Sequence, residues 1–186
     1  MLWFDGLEAL AYDVILADPP WSFSTWSATG QNKSASQHYD VMSFDDMKRL
    51  PVADLARNDC VLVMWATQAM IPQAVDLMRA WEFTPKTMGA WAKRSRTDRT
   101  WAFGTGYIFR SAAEFYLLGT RGKPKMAVRD VRNLIVAPAR EHSRKPNQLH
   151  HDLERMFPGA RRVELFARCR RSGWECWGNH VDRFEV

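Results

Sequence analysis

Short apolar runs alternate along this chain with segments in which apolar residues recur at the spacing of a helix. The runs have the length and composition of buried strands, and residues 71–81 have the helical spacing. The predicted strands cover residues 14–17, 60–66, 86–91, 114–118, 134–137, 161–166 and 174–177. Strands that alternate with helices predict an α/β fold, with a mostly parallel central sheet flanked by helices. We find no break in the pattern and interpret residues 1–186 as a single domain.

Two further helices are indicated by their first residues. Ser43 precedes Asp45 and Asp46, which is the order of an N-cap followed by acids in the first turn. Pro146 is predicted to occupy the first position of a later helix, where its missing N–H costs nothing.

The first strand ends abruptly at Asp18, Pro19, Pro20 and Trp21. Prolines lack the donor that a central strand needs, so these residues predict a rigid turn at the carboxyl end of the strand. Open α/β sheets bind their ligands at this edge. The Asp18 carboxylate and the Pro19 carbonyl can each accept a hydrogen from an exocyclic amine, and Trp21 can stack on a planar base. These residue types favour the active site of an amino-methyltransferase; the alternative is a proline turn that carries a surface acid.

Composition and charge narrow the range of partners. The chain lacks a membrane-length apolar segment and a basic-then-apolar leader, so we expect a soluble, cytoplasmic protein. Its three cysteines predict neither a disulfide framework nor a metal site. Residues 1–60 carry a net charge of −5 and residues 61–186 a net charge of +10. This asymmetry indicates a polyanionic partner or, alternatively, only a solvated basic surface.

Two loops are candidates for substrate contact. A polar loop, residues 22–38, follows the proline turn. Tyr39 comes directly after this loop and could form a second aromatic wall of the site. A second, basic loop is interpreted either as a nucleic-acid contact or as a plain solvated loop. Its cations are Lys93, Arg94, Arg96 and Arg99.

Several short motifs together resemble the MT-A70 family of adenine N6-methyltransferases, and more its bacterial and phage branch than its eukaryotic one. The motifs lie at residues 17–21, 64–65, 91–93, 121–124, 142–146, 154–155, 164–168 and 177–179. The resemblance implies a Rossmann-like fold, S-adenosylmethionine as cofactor, and a catalytic motif that precedes the cofactor-binding motifs. It implies that Asp18 holds the target amine and also contacts the cofactor, while Lys145 pairs with the methionine carboxylate.

The resemblance assigns further contacts. Arg168 and Asn179 are expected to bind the ribose, and His180 stands where the family commonly has an amide. We also predict that Arg140 and His142 bind the substrate.

The resemblance therefore implies methylation of adenine N6 in DNA, and a homodimer is a further expectation. RNA as the substrate, a non-catalytic nucleic-acid-binding subunit, and methylation of a protein amide or small amine are the alternatives. The related turn of amide-modifying enzymes usually carries asparagine, which disfavours the last of these.

Overall fold

A seven-stranded sheet organises the computed structural model, which describes residues 3–21, 42–106, 108–141 and 144–184. The strands are β1 (Tyr12–Ala17), β2 (Ala56–Ala66), β3 (Thr84–Arg94), β4 (Ala113–Arg121), β5 (Leu134–Pro138), β6 (Arg162–Leu165) and β7 (Glu175–Trp177). The α-helices are α1 (Phe44–Arg49), α2 (Ile71–Ala80) and α3 (Gln148–Met156). All seven predicted strands and all three predicted helices are therefore present, with shifted ends.

The sheet has the order β5-β3-β4-β2-β1-β6-β7. β4 runs antiparallel to its neighbours β2 and β3, and the remaining neighbours pair in parallel. The prediction of a mostly parallel, Rossmann-like sheet is confirmed. Because β4 is reversed, its first residues lie at the same edge as the last residues of the parallel strands.

β1 is buried on both faces of the sheet, as its apolar run predicts. Val14 and Leu16 belong to one core cluster together with Leu149 and Leu153 of α3. Ile15 and Ala17 face the other way, into a cluster that includes Leu77 and Met78 of α2. Helices therefore cover both faces of β1, and each fully buried leucine or isoleucine contributes about 1.5–3 kcal/mol. This packing holds the end of β1 in a fixed position.

The two predicted helix starts have different outcomes. Ser43 caps α1 as expected, since its side chain accepts a hydrogen bond from the Asp46 N–H. The prediction for Pro146 was wrong: α3 begins at Gln148, with Asn147 as its N-cap residue. The Arg140 guanidinium donates to the Lys145 carbonyl and to the Asn147 side chain, which ties these residues outside the helix. A residue before proline also avoids helical geometry, so Lys145 stays in the loop.

Within the described residues, no helix is long and apolar enough to cross a membrane. All three cysteines are free thiols.

Candidate active site

The proline turn lies at the carboxyl end of β1, as the sequence predicts. The Asp18 N–H still donates to the Leu165 carbonyl of β6, which keeps Asp18 in line with the sheet. The Trp21 N–H then donates to the Pro19 carbonyl at 2.8 Å, closing a tight turn over Pro20. The Pro19 oxygen keeps a second lone pair that can accept a hydrogen from a ligand.

Two cations converge on the Asp18 carboxylate. Lys145 Nζ lies 3.0 Å from Asp18 Oδ1 and 2.9 Å from Oδ2, although the two residues are 127 positions apart. Arg168 Nη2 lies 3.6 Å from Oδ2. The structure thus brings together three of the residues that the sequence assigns to the site. Only 13% of the Asp18 side chain and 14% of the Lys145 side chain are exposed, so this ion pair is largely desolvated.

Glu114, at the start of β4, extends these ion pairs and was missed by the sequence-based predictions. Its carboxylate lies 3.5 Å from Lys145 Nζ and also accepts a hydrogen bond from Lys93. Burial alone would raise the pKa of Glu114, but the ammonium groups of Lys145 and Lys93 outweigh it and lower the pKa to about 2. Burial likewise opposes the charge of Lys145, yet Asp18 and Glu114 raise its pKa above the ordinary value.

A signal for Glu114 was present in the sequence. Residues 114–118 read as a buried strand that begins with an acid, and a buried acid needs a partner. The sequence does not show which residues are the partners of this acid. Lys93 contacts Glu114 because β3 pairs with β4, and Lys145 contacts it from the loop before α3.

Replacing Glu114 by glutamine is expected to change how stability depends on pH. The folded-state pKa is depressed from 4.5 to about 2, so the carboxylate stabilises the fold above about pH 4.5 and loses this effect as the pH falls toward 2. The Glu114→Gln variant should be less stable by roughly 3 kcal/mol at neutral pH, with the difference shrinking on acidification. Urea denaturation from neutral pH to about pH 3 measures this. A difference that stays constant over that range would contradict it.

Trp21 occupies a different place from the one expected of a stacking residue. Its ring is only 4% exposed and belongs to the core cluster that contains Ile15 and Ala17. The indole N–H donates to the Trp65 carbonyl of β2 at 2.9 Å. Trp21 therefore fastens the turn to the neighbouring strand, and stacking on a base would require the ring to leave this position. Trp65 itself lies beneath Lys145, whose Nζ is 5.6 Å from the ring centroid.

The predicted basic loop divides into two groups. Lys93 and Arg94 are the last residues of β3; Lys93 pairs with Glu114, and the Arg94 side chain donates to Asp98 and packs over Trp101. Both are held by contacts within the chain. Arg96 and Arg99 are exposed and remain the candidates for external contact.

The remaining predicted residues are spread around the site. Arg140 lines the pocket beside Asp18 while bonding to the loop before α3. Asn179 and His180 are exposed and lie outside that pocket's lining, so their predicted ribose contacts stay predictions. Tyr39 and His142 lie outside the described residues.

The residue types beside Asp18 suit the charged groups in the amino-acid portion of S-adenosylmethionine. The lining of this pocket combines the carboxylates of Asp18 and Glu164 with four cationic residues, Arg140, Arg144, Lys145 and Arg168. A carboxylate suits the donor's ammonium group, and lysine or arginine suits its carboxylate. The described residues contain no cluster of histidine, cysteine or acidic side chains arranged for a metal ion.

A Rossmann-like sheet with this charged pocket at the end of β1 defines a methyltransferase fold. The MT-A70 family model matches residues 12–180, and the chain belongs to the MT-A70 family, whose members use S-adenosylmethionine as methyl donor.

Similar proteins occur in bacteria and in eukaryotes. The alignment with the Type II methyltransferase M.MunI from Mycoplasma sp has 197 positions, including gaps, at 31% identity. It covers 96% of this chain and 81% of the relative. An N(6)-adenosine-methyltransferase MT-A70-like protein from Arabidopsis thaliana is 30% identical, and the human N(6)-adenosine-methyltransferase catalytic subunit METTL3 is 27% identical. Each match covers 92% of this chain but only 24% of the plant protein and 28% of the human one. The expected resemblance to the bacterial branch is confirmed.

Proposed function

We propose that this protein transfers a methyl group from S-adenosylmethionine to the N6 amine of adenine in DNA. The observation that carries the proposal is the Asp18 carboxylate, held at the end of β1 by Lys145 and Arg168 beside a charged pocket. DNA is favoured over RNA because the type II methyltransferase matches over most of its own length, whereas the adenosine methyltransferases match over about a quarter.

The residues of the turn would act mainly by placement. The lone pair of an adenine amine is delocalised into the ring, so the nitrogen is a weak nucleophile. The Asp18 carboxylate and the free lone pair of the Pro19 carbonyl can each accept one amine hydrogen, which favours a nitrogen with an available lone pair. Fixing the amine at attacking distance contributes up to about 7–11 kcal/mol in well-oriented systems.

The same carboxylate would stabilise the charge that develops on the nitrogen. A carboxylate has about four acceptor sites, so Asp18 can keep its bond to Lys145 while it accepts the amine. The rigid turn keeps these acceptors oriented before the reaction, so little reorganisation is needed. No nucleophilic side chain is needed, and the buried Cys60 thiol, whose pKa burial raises to about 12, is unsuited to such a role.

Cofactor binding would use the residues around Asp18. Lys145 would pair with the methionine carboxylate, Asp18 with the ammonium group, and Arg168, Asn179 and His180 with the ribose. When bound, S-adenosylmethionine supplies an electrophilic methyl group on its sulfonium. A duplex adenine cannot reach the turn, so the target base must be flipped or unpaired.

The direct test is incubation of the protein with labelled S-adenosylmethionine and matched single- and double-stranded DNA and RNA, followed by mass spectrometry of the nucleosides. N6-methyladenine in DNA is the expected product. Methylation of RNA alone would assign the substrate to RNA. Donor binding without any methylated nucleoside would indicate a non-catalytic subunit.

Replacing Arg96 and Arg99 by glutamine is expected to weaken nucleic-acid binding and to flatten its salt dependence. Each phosphate contact contributes about 0.7–0.9 to the magnitude of the slope of log K against log salt concentration. In the double variant the magnitude of this slope should therefore fall by up to about 2. Fluorescence anisotropy at several salt concentrations measures this slope. The matched control removes Arg49 and Arg79, whose guanidinium groups pair with Asp46 and Asp76 on α1 and α2. Equal slopes for wild type and loop variant would mean that the loop faces only solvent.

A further inference from the structure

The connection between β3 and β4, residues 95–112, exposes an unusual amount of apolar surface. Trp101 is 56% exposed, Phe103 81%, Ile108 77% and Phe109 87%. These are four of the ten large apolar side chains that are exposed in the described part of the chain. Large exposed apolar side chains that are grouped in one loop indicate a surface that binds a partner. We call the described residues of this connection, 95–106 and 108–112, the β3–β4 loop.

The β3–β4 loop is organised by its own backbone hydrogen bonds. The Ala102 N–H donates to the Lys93 carbonyl, and the Gly104 N–H donates to the Ser111 carbonyl at 2.8 Å. A Cβ at Gly104 would lie 2.8 Å from the Ser111 oxygen, so the close approach requires glycine here. These hydrogen bonds restrain the backbone on either side of Phe103, which reduces the entropy lost on binding.

Cations accompany the exposed rings. The Arg110 guanidinium lies 5.5 Å from the centroid of the Phe103 ring, and Arg94 lies 4.7 Å from that of Trp101. Arg96, Arg99 and Arg110 are exposed, and Asp98 is the one acid in the loop. A protein partner would have to desolvate these arginines, whereas a nucleic-acid strand offers phosphates for the cations and base faces for the rings. Charge and ring type together favour nucleic acid.

The base of the loop adjoins the active site. Lys93 is the next-to-last residue of β3, and Glu114 is the second residue of β4. These two side chains pair with each other, and Glu114 contacts Lys145, which binds Asp18. Consecutive ion pairs therefore connect the base of the loop with Asp18, which places the loop on the side of the molecule from which a target base would enter.

We propose that the β3–β4 loop is a binding platform for an unpaired strand of nucleic acid. Bases that flank the target adenine stack on Phe103 and Phe109, while Arg96, Arg99 and Arg110 contact the phosphates. This inference rests on the proposed function and extends it, because it identifies the form of substrate that the site receives. A duplex keeps its base faces covered and gains only the phosphate contacts.

The test replaces both phenylalanines by leucine, which keeps an apolar side chain but removes the aromatic face. Anisotropy of short fluorescent DNA and RNA strands should show an affinity at least about 10-fold weaker for Phe103→Leu/Phe109→Leu, since leucine removes the aromatic faces on which bases stack. The salt slope should stay unchanged, because every cation remains. Duplex affinity should change much less. Trp3→Leu is the matched control, since Trp3 is an exposed aromatic residue outside the loop.

Two results would overturn the platform. One is unchanged single-strand affinity in the double variant. The other is a single-strand affinity that falls together with the mass of the double variant in light scattering, which would assign the loop to an interface between two copies of the chain.

Failure of the proposed function and failure of the platform give different results. If the wild type binds strands through these rings but transfers no methyl group, the function fails and the platform stands. If the wild type methylates adenine while the variant binds normally, the platform alone fails.

Discussion

An Asp18→Asn variant is expected to lose methyl transfer by at least about 10²–10³-fold in kcat, the scale seen when one charge-stabilising group is removed from an active site. The amide keeps the size of the side chain but cannot balance the charge that develops on the amine. It also places a donor where the amine hydrogens need an acceptor. Transfer of labelled methyl to an adenine-containing oligonucleotide measures the loss.

Asp13→Asn is the matched control for this variant. Asp13 lies near the other end of β1, where its carboxylate pairs with Arg57 and accepts the Arg161 backbone N–H. The control removes a carboxylate from the same strand without changing the pocket. Full activity of Asp18→Asn would remove the assignment of the turn as the catalytic centre.

The structure changes one expectation about Asp18→Ala. From the sequence, Asp18→Ala is expected to abolish methyl transfer and to leave the fold intact, whereas the carboxylate is 13% exposed and pairs with the similarly desolvated Lys145. Alanine removes an acid that pairs with this buried ammonium and fills none of the space that the carboxylate occupied, so the alanine variant should be less stable than the asparagine one. Urea denaturation of the two variants compares them.

A Lys145→Met variant is expected to lose about 3–5 kcal/mol of stability, the usual result when one partner is removed from a buried ion pair. The Asp18 and Glu114 carboxylates then both lose their contact with the same ammonium, while Arg168 still lies beside Asp18 and Lys93 beside Glu114. Affinity for S-adenosylmethionine should fall as well, since the predicted partner of its carboxylate is gone. Urea denaturation and calorimetric titration with the donor measure the two effects.

Two companion variants make this expectation sharper. The loss of stability in Lys145→Met/Glu114→Gln should be smaller than the sum of the two single losses, because both changes remove the same Lys145–Glu114 contact and neighbouring effects do not add. Lys48→Met, which breaks an exposed pair with Asp45 on α1, should leave stability nearly unchanged. A Lys145→Met protein as stable as the wild type would show that the three charges do not depend on one another.

Much of the fold can be predicted from the sequence because the patterns that indicate its elements are local. An apolar run predicts a buried strand, and Ser43 before two acids predicts a helix start, from residues that are neighbours in the chain. The proline turn is equally local, since proline restricts its own backbone and that of the preceding residue. The helix start at Pro146 was misread because Arg140 competes for the backbone just ahead of α3.

The candidate site was only partly readable. The residue types at Asp18, Lys145 and Arg168 indicated a charged pocket, and the resemblance assigned their roles. The position of Trp21 could not be predicted, because an aromatic ring after a turn can face a ligand or the core with the same sequence. The indole N–H of Trp21 donates to the buried Trp65 carbonyl of β2. This contact joins the turn to a strand that is distant in the sequence, so no local pattern predicts it.

The sequence by itself determined which elements form, where β1 stops, and which residue types stand at its end. Only the tertiary structure decided that Glu114 joins the site and that the rings of the β3–β4 loop stay exposed. The reason is that both depend on the reversed strand β4, which brings the start of one strand to the ends of others. Packing of the chain at this edge removes water from Lys145, Asp18 and Glu114. Because these charges are desolvated, the stability of each depends on the presence of the others.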